Sequence, residues 1–371
     1  MLRVLSISFV VIAILHGLIH LMGFVAYWPL GKISELPYKT TLLGGRWDIG
    51  LGGMRAFSLL WLLAALGFVI AAIALALGRS FWAPLMLAAV LLSMVICILD
   101  WRAAFRGALI DVVFLLALGV VFGLRVKPAP FPAYGATSTP AQMAPFPTGL
   151  PEPVERFYHL TYGEEIPVYQ SAVFSGRGTI RFMGITFPGR VRFTHIAGQG
   201  YRHYLEATFY GLPVFKVNEH YLDGRARLVL PVGIVENDPG VDSAANQGLW
   251  AETLWYPAVY LTDPRVHWEA VNDTTTRLYV PFGEEEQEFT VQFDPQTGTV
   301  ARMETLRYRD EKAGKLRWWT ETIQGKSQNG KPAPEYAAAT WEDESTPWLV
   351  IELEESVFNS DVNTYICQTG P

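Results

Sequence analysis

Residues 248–261 read Gly-Leu-Trp-Ala-Glu-Thr-Leu-Trp-Tyr-Pro-Ala-Val-Tyr-Leu, which is the one long apolar and aromatic run in the last two thirds of the chain. Trp250, Leu254 and Leu261 recur at helical spacing, so one face of a helix would be apolar. The opposite flank is aromatic as well, and a helix that is apolar nearly all round must be covered on more than one side. We therefore predict a helix over 242–261 that lies inside a curved sheet.

Segments typical of β-strands lie on both sides of this helix in the sequence. Turn signals such as Asp223-Gly224 separate them. We place them at residues 171–183, 190–196, 201–209, 213–221, 225–230, 267–272, 276–281, 288–294, 300–308, 316–324 and 347–357. About ten antiparallel strands in roughly 200 residues form a sheet that must curl or close. With a short helix at 153–160, the sequence predicts an α+β domain, in which a large curved antiparallel sheet or incomplete β-barrel carries one or two helices.

The front of the chain has a different character. It contains four apolar runs of the length that crosses a bilayer, about 20 residues each, at residues 4–28, 56–77, 81–99 and 107–124. The first run lacks a small-x-small cleavage site, so we expect it to be retained as a helix rather than removed as a signal peptide. Short connections favour antiparallel neighbours. We predict a membrane α-helical bundle of four transmembrane helices.

Composition divides the chain into three parts. We expect a transmembrane domain at 1–126, a proline-rich linker at 127–150 and the curved β domain at 151–371. Residues 1–127 carry a net charge of +6 and residues 128–371 a net charge of −12. An acidic second half excludes nucleic acid as a partner, because phosphate contacts need clustered basic charge. The two cysteines, Cys97 and Cys367, cannot form a disulfide framework.

The distribution of basic residues around the spans indicates the membrane topology. Lysines and arginines near membrane-spanning helices are enriched on the cytoplasmic side. Six of them fall on one side and four on the other, namely Lys32, Lys39, Arg46, Arg55, Arg102 and Arg106 against Arg3, Arg79, Arg125 and Lys127. This bias predicts an integral protein of the bacterial inner (cytoplasmic) membrane with an extracytoplasmic β domain.

His16 and His20 are candidate functional residues of the membrane part. They are four residues apart and so share one helix face inside the membrane. Imidazoles at this spacing are weak candidates for a metal site, or for contact with haem or a quinone. The favoured alternative is hydrogen bonding between helices, with the acids Asp48, Asp100 and Asp111 paired to Arg46, Arg102 or Arg106 near the interfaces.

No catalytic motif is present in the second half, neither a Gly-x-Ser-x-Gly elbow nor a Walker loop nor His-Glu-x-x-His. We expect no catalytic residue and no cofactor. Glu252 is a carboxylate on an apolar helix, and burial would raise its pKa. A general acid role is open to it, but a helix-to-sheet hydrogen bond or ion pair, with Arg265 or Arg277, is favoured. His203 and His220 on neighbouring strands offer two metal ligands without a third.

The aromatic helix carries a family resemblance. Its residues Gln247, Gly248, Ala251, Glu252, Trp255, Tyr256, Pro257 and Ala258, followed by Trp268, Glu269 and Asp273, resemble an uncharacterised bacterial domain family with a Trp-Tyr-Pro helix motif. The outline of that domain is similar to the incomplete barrel of LolA/LolB-type lipoprotein carriers. That resemblance implies an apolar cavity under a helical lid. The front resembles a DoxX-type four-helix module through its early His-Gly-Leu-Ile-His segment.

Together these observations favour a membrane-anchored envelope protein that binds a lipid or other apolar small molecule in its β domain. The candidate ligand-binding residues are Trp250, Glu252, Trp255, Tyr256 and Trp268, with 250–260 as the lid. One alternative is a redox, quinone or haem module that uses His16 and His20. Another is an assembly or scaffold protein that binds an envelope protein partner.

Overall fold

The computed structural model describes residues 2–135, 138–309, 314–326 and 332–368. The chain forms two compact units, Met1–Gly123 and Leu124–Pro371, called here the helical unit and the β unit. The helical unit contains four helices, each long and apolar enough by length and composition to cross a membrane. They are α1 (Leu2–Tyr27), α2 (Gly50–Ala76), α3 (Trp82–Leu99) and α4 (Trp101–Gly123). The four spans predicted from hydropathy are therefore confirmed.

Two short strands join α1 to α2 in the helical unit. They are β1 (Thr41–Leu42) and β2 (Trp47–Asp48), which pair with each other around a 3₁₀ turn at Leu43–Gly45. The buried side chains of the helices form apolar clusters between neighbouring helices, while the remaining faces expose large apolar residues. Exposed apolar faces on helices of this length suit contact with lipid.

The β unit contains fifteen strands within the described residues. They are β3 (Gln142–Pro145), β4 (Glu165–Val168), β5 (Ser171–Phe182), β6 (Ile185–Ile196), β7 (Gly200–Phe209), β8 (Leu212–Leu222), β9 (Arg225–Leu230), β10 (Gly233–Glu236), β11 (His267–Asn272), β12 (Thr275–Phe282), β13 (Glu285–Phe293), β14 (Val300–Tyr308), β15 (Lys315–Lys326), β16 (Pro332–Trp341) and β17 (Leu349–Phe358). Its helices are α5 (Glu152–Thr161), α6 (Pro239–Glu252), α7 (Val259–Thr262) and α8 (Asn363–Ile366).

Thirteen of these strands form one curved antiparallel sheet, in the order β10-β9-β8-β7-β6-β5-β17-β16-β15-β14-β13-β12-β11. Within this sheet the strands β5 to β10 pair in chain order, as do the strands β11 to β17, and β17 pairs with β5 to join the two halves. The two end strands, β10 and β11, do not pair with each other, so the sheet is not closed into a barrel. The predicted α+β fold with a large curved antiparallel sheet is confirmed, and the sheet is open rather than a closed barrel.

The junction of β5 with β17 depends on glycine. A Cβ atom on Gly178 would lie 1.8 Å from the backbone oxygen of Val350, and one on Gly176 would lie 2.3 Å from that of Glu352. Glycine in a strand interior often marks such a close approach of two backbones. These two residues allow the last strand to join the first half of the sheet to the second.

The aromatic helix is not continuous, in contrast to the prediction of one helix over 242–261. α6 starts earlier, with Asp238 as its N-cap, and ends at Glu252. A 3₁₀ turn at Thr253–Trp255 and the short α7 follow. Pro257 explains the break, because proline lacks an N–H donor and its ring clashes with the preceding helical turn. The predicted enclosure is correct, since the run 249–260 is buried apart from Glu252.

Two strands of the large sheet, β10 and β16, were not predicted. β16 reads Pro-Ala-Pro-Glu-Tyr-Ala-Ala-Ala-Thr-Trp, and proline and alanine are depleted in strands. It pairs with β15 on one side and β17 on the other. Its place in the sheet is therefore decided by its neighbours rather than by its own composition.

The first part of the proline-rich segment packs on the outer face of the sheet. Phe131 is buried beneath the Arg190 guanidinium, which lies 4.3 Å from the ring centroid. Arg177 donates a hydrogen bond of 3.0 Å to the Pro128 carbonyl, and Arg192 donates to that of Pro132. Arginines on the outer face of the sheet therefore satisfy carbonyls that a proline-rich chain cannot pair by itself.

Candidate ligand-binding site

A cavity of about 780 Å³ lies on the concave side of the sheet, between the strands and α6. Apolar side chains at every second position of the strands form most of its wall. They are Phe193, Leu205, Phe215, Val217 and Leu228 from one half of the sheet, and Trp318, Ala337, Trp341, Leu349 and Ile351 from the other. Its volume is within the range of small-molecule sites, about 300–1,000 Å³.

One face of α6 forms the remaining wall. Ala244, Gly248 and Ala251 line the cavity and recur at intervals of four and three residues. Side chains so spaced share one face of a helix. These residues are small, so space remains between the helix and the sheet where bulkier side chains would fill it. The sequence contains this stripe, but the prediction considered only the large apolar residues on the other face.

Polar side chains of α6 fix its position against the sheet. Asn246 accepts a hydrogen bond from Tyr221 on β8, at 3.0 Å, and donates to the Pro281 carbonyl and the Gln287 side chain, at 3.0 and 2.8 Å. Asp242 accepts from the backbone N–H of Ala226 on β9, at 2.7 Å. Because these bonds reach strands on both sides of the helix, α6 is held across the concave face.

At the end of α6 a polar cluster interrupts the apolar wall. Glu252 Oε2 lies 2.7 Å from His203 Nε2 and 3.2 Å from His195 Nε2. On the far side of His203, Nδ1 lies 3.6 Å from Glu219 Oε2, and Glu219 accepts a hydrogen bond of 2.5 Å from the Tyr201 hydroxyl. These five residues are called the histidine–glutamate cluster. His203, Glu219 and Glu252 line the cavity.

The strands bring the two histidines together through their register. His195 on β6 pairs with Tyr201 on β7, and Phe193 pairs with His203, so both histidines lie on the concave face as diagonal neighbours. His220 on β8 pairs with Arg202 and therefore lies on the opposite face. His203 and His220 thus lie on neighbouring strands, as predicted, but on opposite faces, so they do not form a pair of metal ligands. His195 is the residue that sequence reasoning missed. The sequence could have indicated His195, because the short turn between β6 and β7 places it diagonally opposite His203 on the same face.

The cluster shifts the pKa values of Glu252 and His203 in opposite directions, so that both groups are charged. Burial would raise the pKa of Glu252, but the charge of His203 and the close approach of both imidazoles lower it to about 2. Burial would lower the pKa of His203, but the charge of Glu252 and the neighbouring Glu219 carboxylate raise the pKa of His203 to about 9. His195 differs, since its burial lowers its pKa. The cluster holds a charged carboxylate beside a protonated imidazole.

The helix-to-sheet ion pair expected for Glu252 is present, but its partners are histidines. Arg265 pairs with Asp263 instead, and Arg277 with Glu269 and Glu288.

A partly buried arginine lies next to the cluster on the cavity wall. Arg307 on β14 donates from Nε to the Ala244 carbonyl at 3.0 Å, and its guanidinium lies 4.5 Å from the ring centroid of Trp318. Burial lowers its pKa, while the nearby Tyr201 and Glu219 act in the opposite direction. Two cations, Arg307 and His203, therefore face two carboxylates at this end of the cavity.

The structure separates the five candidate ligand-binding residues. Glu252 and Trp255 lie on the cavity wall. Trp250 and Tyr256 are fully buried in the core behind it, and Trp268 is partly buried with its ring edge against Tyr260. The segment expected to form a lid over the ligand is thus part of the core, with Glu252 and Trp255 as its contribution to the cavity.

In the helical unit, the two candidate histidines belong to one hydrogen-bonded network. His16 Nε2 lies 3.0 Å from Asp111 Oδ1, and Ser93 donates to Asp111 Oδ2 at 2.6 Å. His20 Nε2 lies 2.7 Å from the Ser93 hydroxyl. All four side chains are buried. This membrane network joins α1, α3 and α4, which agrees with interhelical hydrogen bonding, whereas a metal, haem or quinone at these histidines stays a prediction.

The acids of the helical unit take other partners than the expected arginines. Asp111 belongs to the membrane network. Asp100 accepts hydrogen bonds from Tyr27 and Lys39, and Asp48 accepts from the backbone N–H of Gly50 at 3.0 Å. The expected pairing with Arg46, Arg102 or Arg106 is therefore wrong for Asp100 and Asp111.

A family model matches residues 141–353, more than half of the chain, and its description is a family of unknown function, DUF6544. The chain belongs to the DUF6544 family. This confirms that the Trp-Tyr-Pro helix lies in a domain of uncharacterised function. A comparison with curated proteins found no match.

Solved structures similar to this chain include three with low sequence identity. A LolA superfamily protein from Nitrosomonas europaea is 10% identical, covers 58% of this chain and 96% of its own, and has a TM-score of 0.37. A DUF1329 family protein from Desulfovibrio piger is 12% identical over 54% of this chain and 92% of its own, with a TM-score of 0.33. A putative outer membrane lipoprotein-sorting protein domain from Vibrio parahaemolyticus is 12% identical over 53% and 87%, with a TM-score of 0.29. The likeness to LolA-type proteins expected from the sequence is present, at TM-scores too low to transfer a ligand.

Proposed function

We propose that this DUF6544 protein is a membrane-anchored envelope protein whose β unit binds a lipid or another apolar ligand. The observation that carries the proposal is the cavity of about 780 Å³, which is walled mostly by apolar side chains. Charged side chains line it in two sets: the histidine–glutamate cluster with Arg307, and the ion-paired Arg181, Arg309 and Glu344. A site of this kind suits a ligand with an apolar body and one polar group, because its few polar side chains fix orientation while the walls remove apolar surface from water.

The tryptophans and alanines around the cavity support a binding site rather than a filled core. Trp318 and Trp341 from neighbouring strands, 6.3 Å apart between ring centroids, face the small side chains of α6. Protein interiors are close-packed, with few voids larger than a water molecule. In a core with only a structural role, side chains would fill a space of this volume. The open space beside large aromatic rings therefore supports a binding site.

The proposed location is the inner membrane, with the β unit outside the cytoplasm. Its support is the bias of basic residues around the four helices. Cys367 offers a direct test, because it is exposed on the β unit whereas Cys97 is buried. We expect a membrane-impermeant maleimide to label Cys367 in intact spheroplasts. Labelling that requires lysis would reverse the topology.

The binding proposal is tested on the full chain with a photoreactive fatty acid. The protein, in detergent, is irradiated with a diazirine-bearing palmitate, and the labelled peptides are identified by mass spectrometry. We expect cross-links in β7, β8, β15 and β16, which line the cavity, and competition by unlabelled fatty acid. Cross-links confined to α1–α4 would mean that the probe reports only the apolar surface of the helical unit, and the binding proposal would fail.

A matched pair of substitutions on β8 controls for non-specific labelling. Val217 lines the cavity, whereas Val214 is 50% exposed and is not among its lining residues. We expect Val217→Trp to fill part of the cavity and reduce cross-linking of the β unit at least severalfold, while Val214→Trp leaves it unchanged. Equal labelling of the two variants would contradict the assignment of the cavity as the site.

A further inference from the structure

We infer that the histidine–glutamate cluster is a binding site for a divalent cation of the zinc type. Its three ligands would be His195, His203 and Glu252, from β6, β7 and α6. One ligand atom of each, an imidazole nitrogen or a carboxylate oxygen, lies within 4.8 Å of the other two. In the part of the chain that the structure describes, this is the one group of three or more such residues found at this spacing. The inference does not depend on the ligand-binding proposal.

The state of His195 is the first independent support. Its side chain is fully buried, and within the described residues neither ring nitrogen makes a well-directed hydrogen bond, although Nε2 lies 3.2 Å from the Glu252 carboxylate. A buried polar atom without a partner loses the hydrogen bonds that water would give it. A cation between these groups would engage the lone pair of Nε2 and so account for its position.

The surroundings of His203 are the second support. Its Nε2 faces Glu252 at 2.7 Å, while its Nδ1 faces the Glu219 carboxylate at 3.6 Å. Glu219 is held in turn by the Tyr201 hydroxyl at 2.5 Å. Metal-binding histidines usually direct their second ring nitrogen toward a carboxylate, which fixes the ring and raises its basicity. Glu219 stands in that position, with Tyr201 as its own support.

The set of ligands indicates the type of metal. Two imidazole nitrogens with one carboxylate oxygen is a set that zinc uses where it keeps a fourth position open. Hard cations such as Ca²⁺ and Mg²⁺ prefer oxygen ligands. Because His203 and Glu252 line the cavity, the open position would face the cavity. It would be available to a water molecule or to an anionic group of a bound ligand.

Charge at the site favours an anion at that open position. A divalent cation and the Arg307 guanidinium together carry three positive charges, and Glu219 and Glu252 carry two negative ones. With neutral histidines as ligands, the charged end of the cavity would be positive overall. The polar end of a carboxylate-bearing amphiphile fits such an end by opposite charge.

The test is the metal content of the full chain, purified in detergent with a tag free of histidine and without chelators. A Cys367→Ser background removes the exposed thiol as a competing ligand. We expect saturable binding of one Zn²⁺ per chain. Co²⁺ bound in its place should show the visible absorption of a four-coordinate site. His195→Gln, His203→Gln and Glu252→Gln should each abolish binding.

His220→Gln is the matched control, because this histidine lies on the next strand but on the opposite face. It should retain the metal.

Glu219→Gln should keep the ligands but weaken binding by about 10-fold or more. If a variant of a metal ligand does not fold, two other results decide whether the cluster binds metal. They are the cobalt spectrum of the unsubstituted chain and the effect of Glu219→Gln on affinity. Absence of saturable zinc and cobalt binding, or equal metal content in His203→Gln and His220→Gln, would overturn the inference and leave the cluster as an ion-pair network. Neither outcome bears on cross-linking by the photoreactive fatty acid, so the two proposals fail separately.

Discussion

Asn246 connects α6 to both sides of the concave face, so its removal should loosen the wall of the cavity. It is 4% exposed and makes three hydrogen bonds, with Tyr221, Pro281 and Gln287. A buried hydrogen bond contributes about 1 kcal/mol net, so Asn246→Ala should lower the opening free energy of α6 by about 3 kcal/mol. Amide exchange that is limited by this opening would accelerate by about 100-fold. Hydrogen-exchange mass spectrometry of α6 peptides in the full chain measures it.

A double-mutant cycle sharpens this prediction. Tyr221→Phe removes only one of the three bonds and should by itself destabilise α6 by about 1 kcal/mol. In the Asn246→Ala background the same change has no bond left to remove, so it should add no further loss. The coupling between the two residues is then about 1 kcal/mol. Full additivity, or exchange in Asn246→Ala accelerated less than threefold, would refute the role of Asn246 as the bridge.

Two further pairs of substitutions test the packing of each unit. Gly178→Ala should destabilise the β unit by about 1–3 kcal/mol, because the added Cβ meets the Val350 oxygen, whereas Gly135→Ala has open space and should change stability by less than about 0.5 kcal/mol. Denaturant unfolding followed by tryptophan fluorescence compares them, and equal midpoints would be evidence against a forced close approach. In the helical unit, Ser93→Ala removes the link of the membrane network and should cost about 0.6–1.7 kcal/mol. Ser58 is equally buried, and among the described residues its hydroxyl bonds a carbonyl of its own helix. Ser58→Ala should therefore cost less, which thermal loss of helical circular dichroism in detergent would show. A larger loss for Ser58→Ala would count against the network.

Most elements were predictable because their patterns are local. The four membrane spans follow from length and hydropathy, and strands such as β9 and β14 follow from composition and turn signals with the observed bounds. β16 was missed because a strand paired on both sides needs little propensity of its own. The end of α6 was missed because the apolar run continues past Glu252. Pro257 indicated that the helix could not continue through the whole run.

The cavity and the cluster were predictable only in part. Glu252 was identified because it is a carboxylate on an apolar helix, and Trp255 because it belongs to the aromatic run that was expected to contact a ligand. His195 was not, since its role depends on the register between β6 and β7. A shift of that register by one residue would move the His203 side chain to the other face. His220, which the sequence offered as a second ligand beside His203, lies on that other face.

The sequence by itself determined which parts of this DUF6544 protein are membrane helices, which are sheet, and where an aromatic helix is enclosed. These features depend on hydropathy, residue composition and periodicity, which act within one segment. Only the tertiary structure decided that the sheet stays open, that small residues of α6 leave a cavity, and that His195, His203 and Glu252 meet at its end. Those features depend on strand order, register and helix placement, where residues far apart in the chain are fixed by each other's packing and hydrogen bonds.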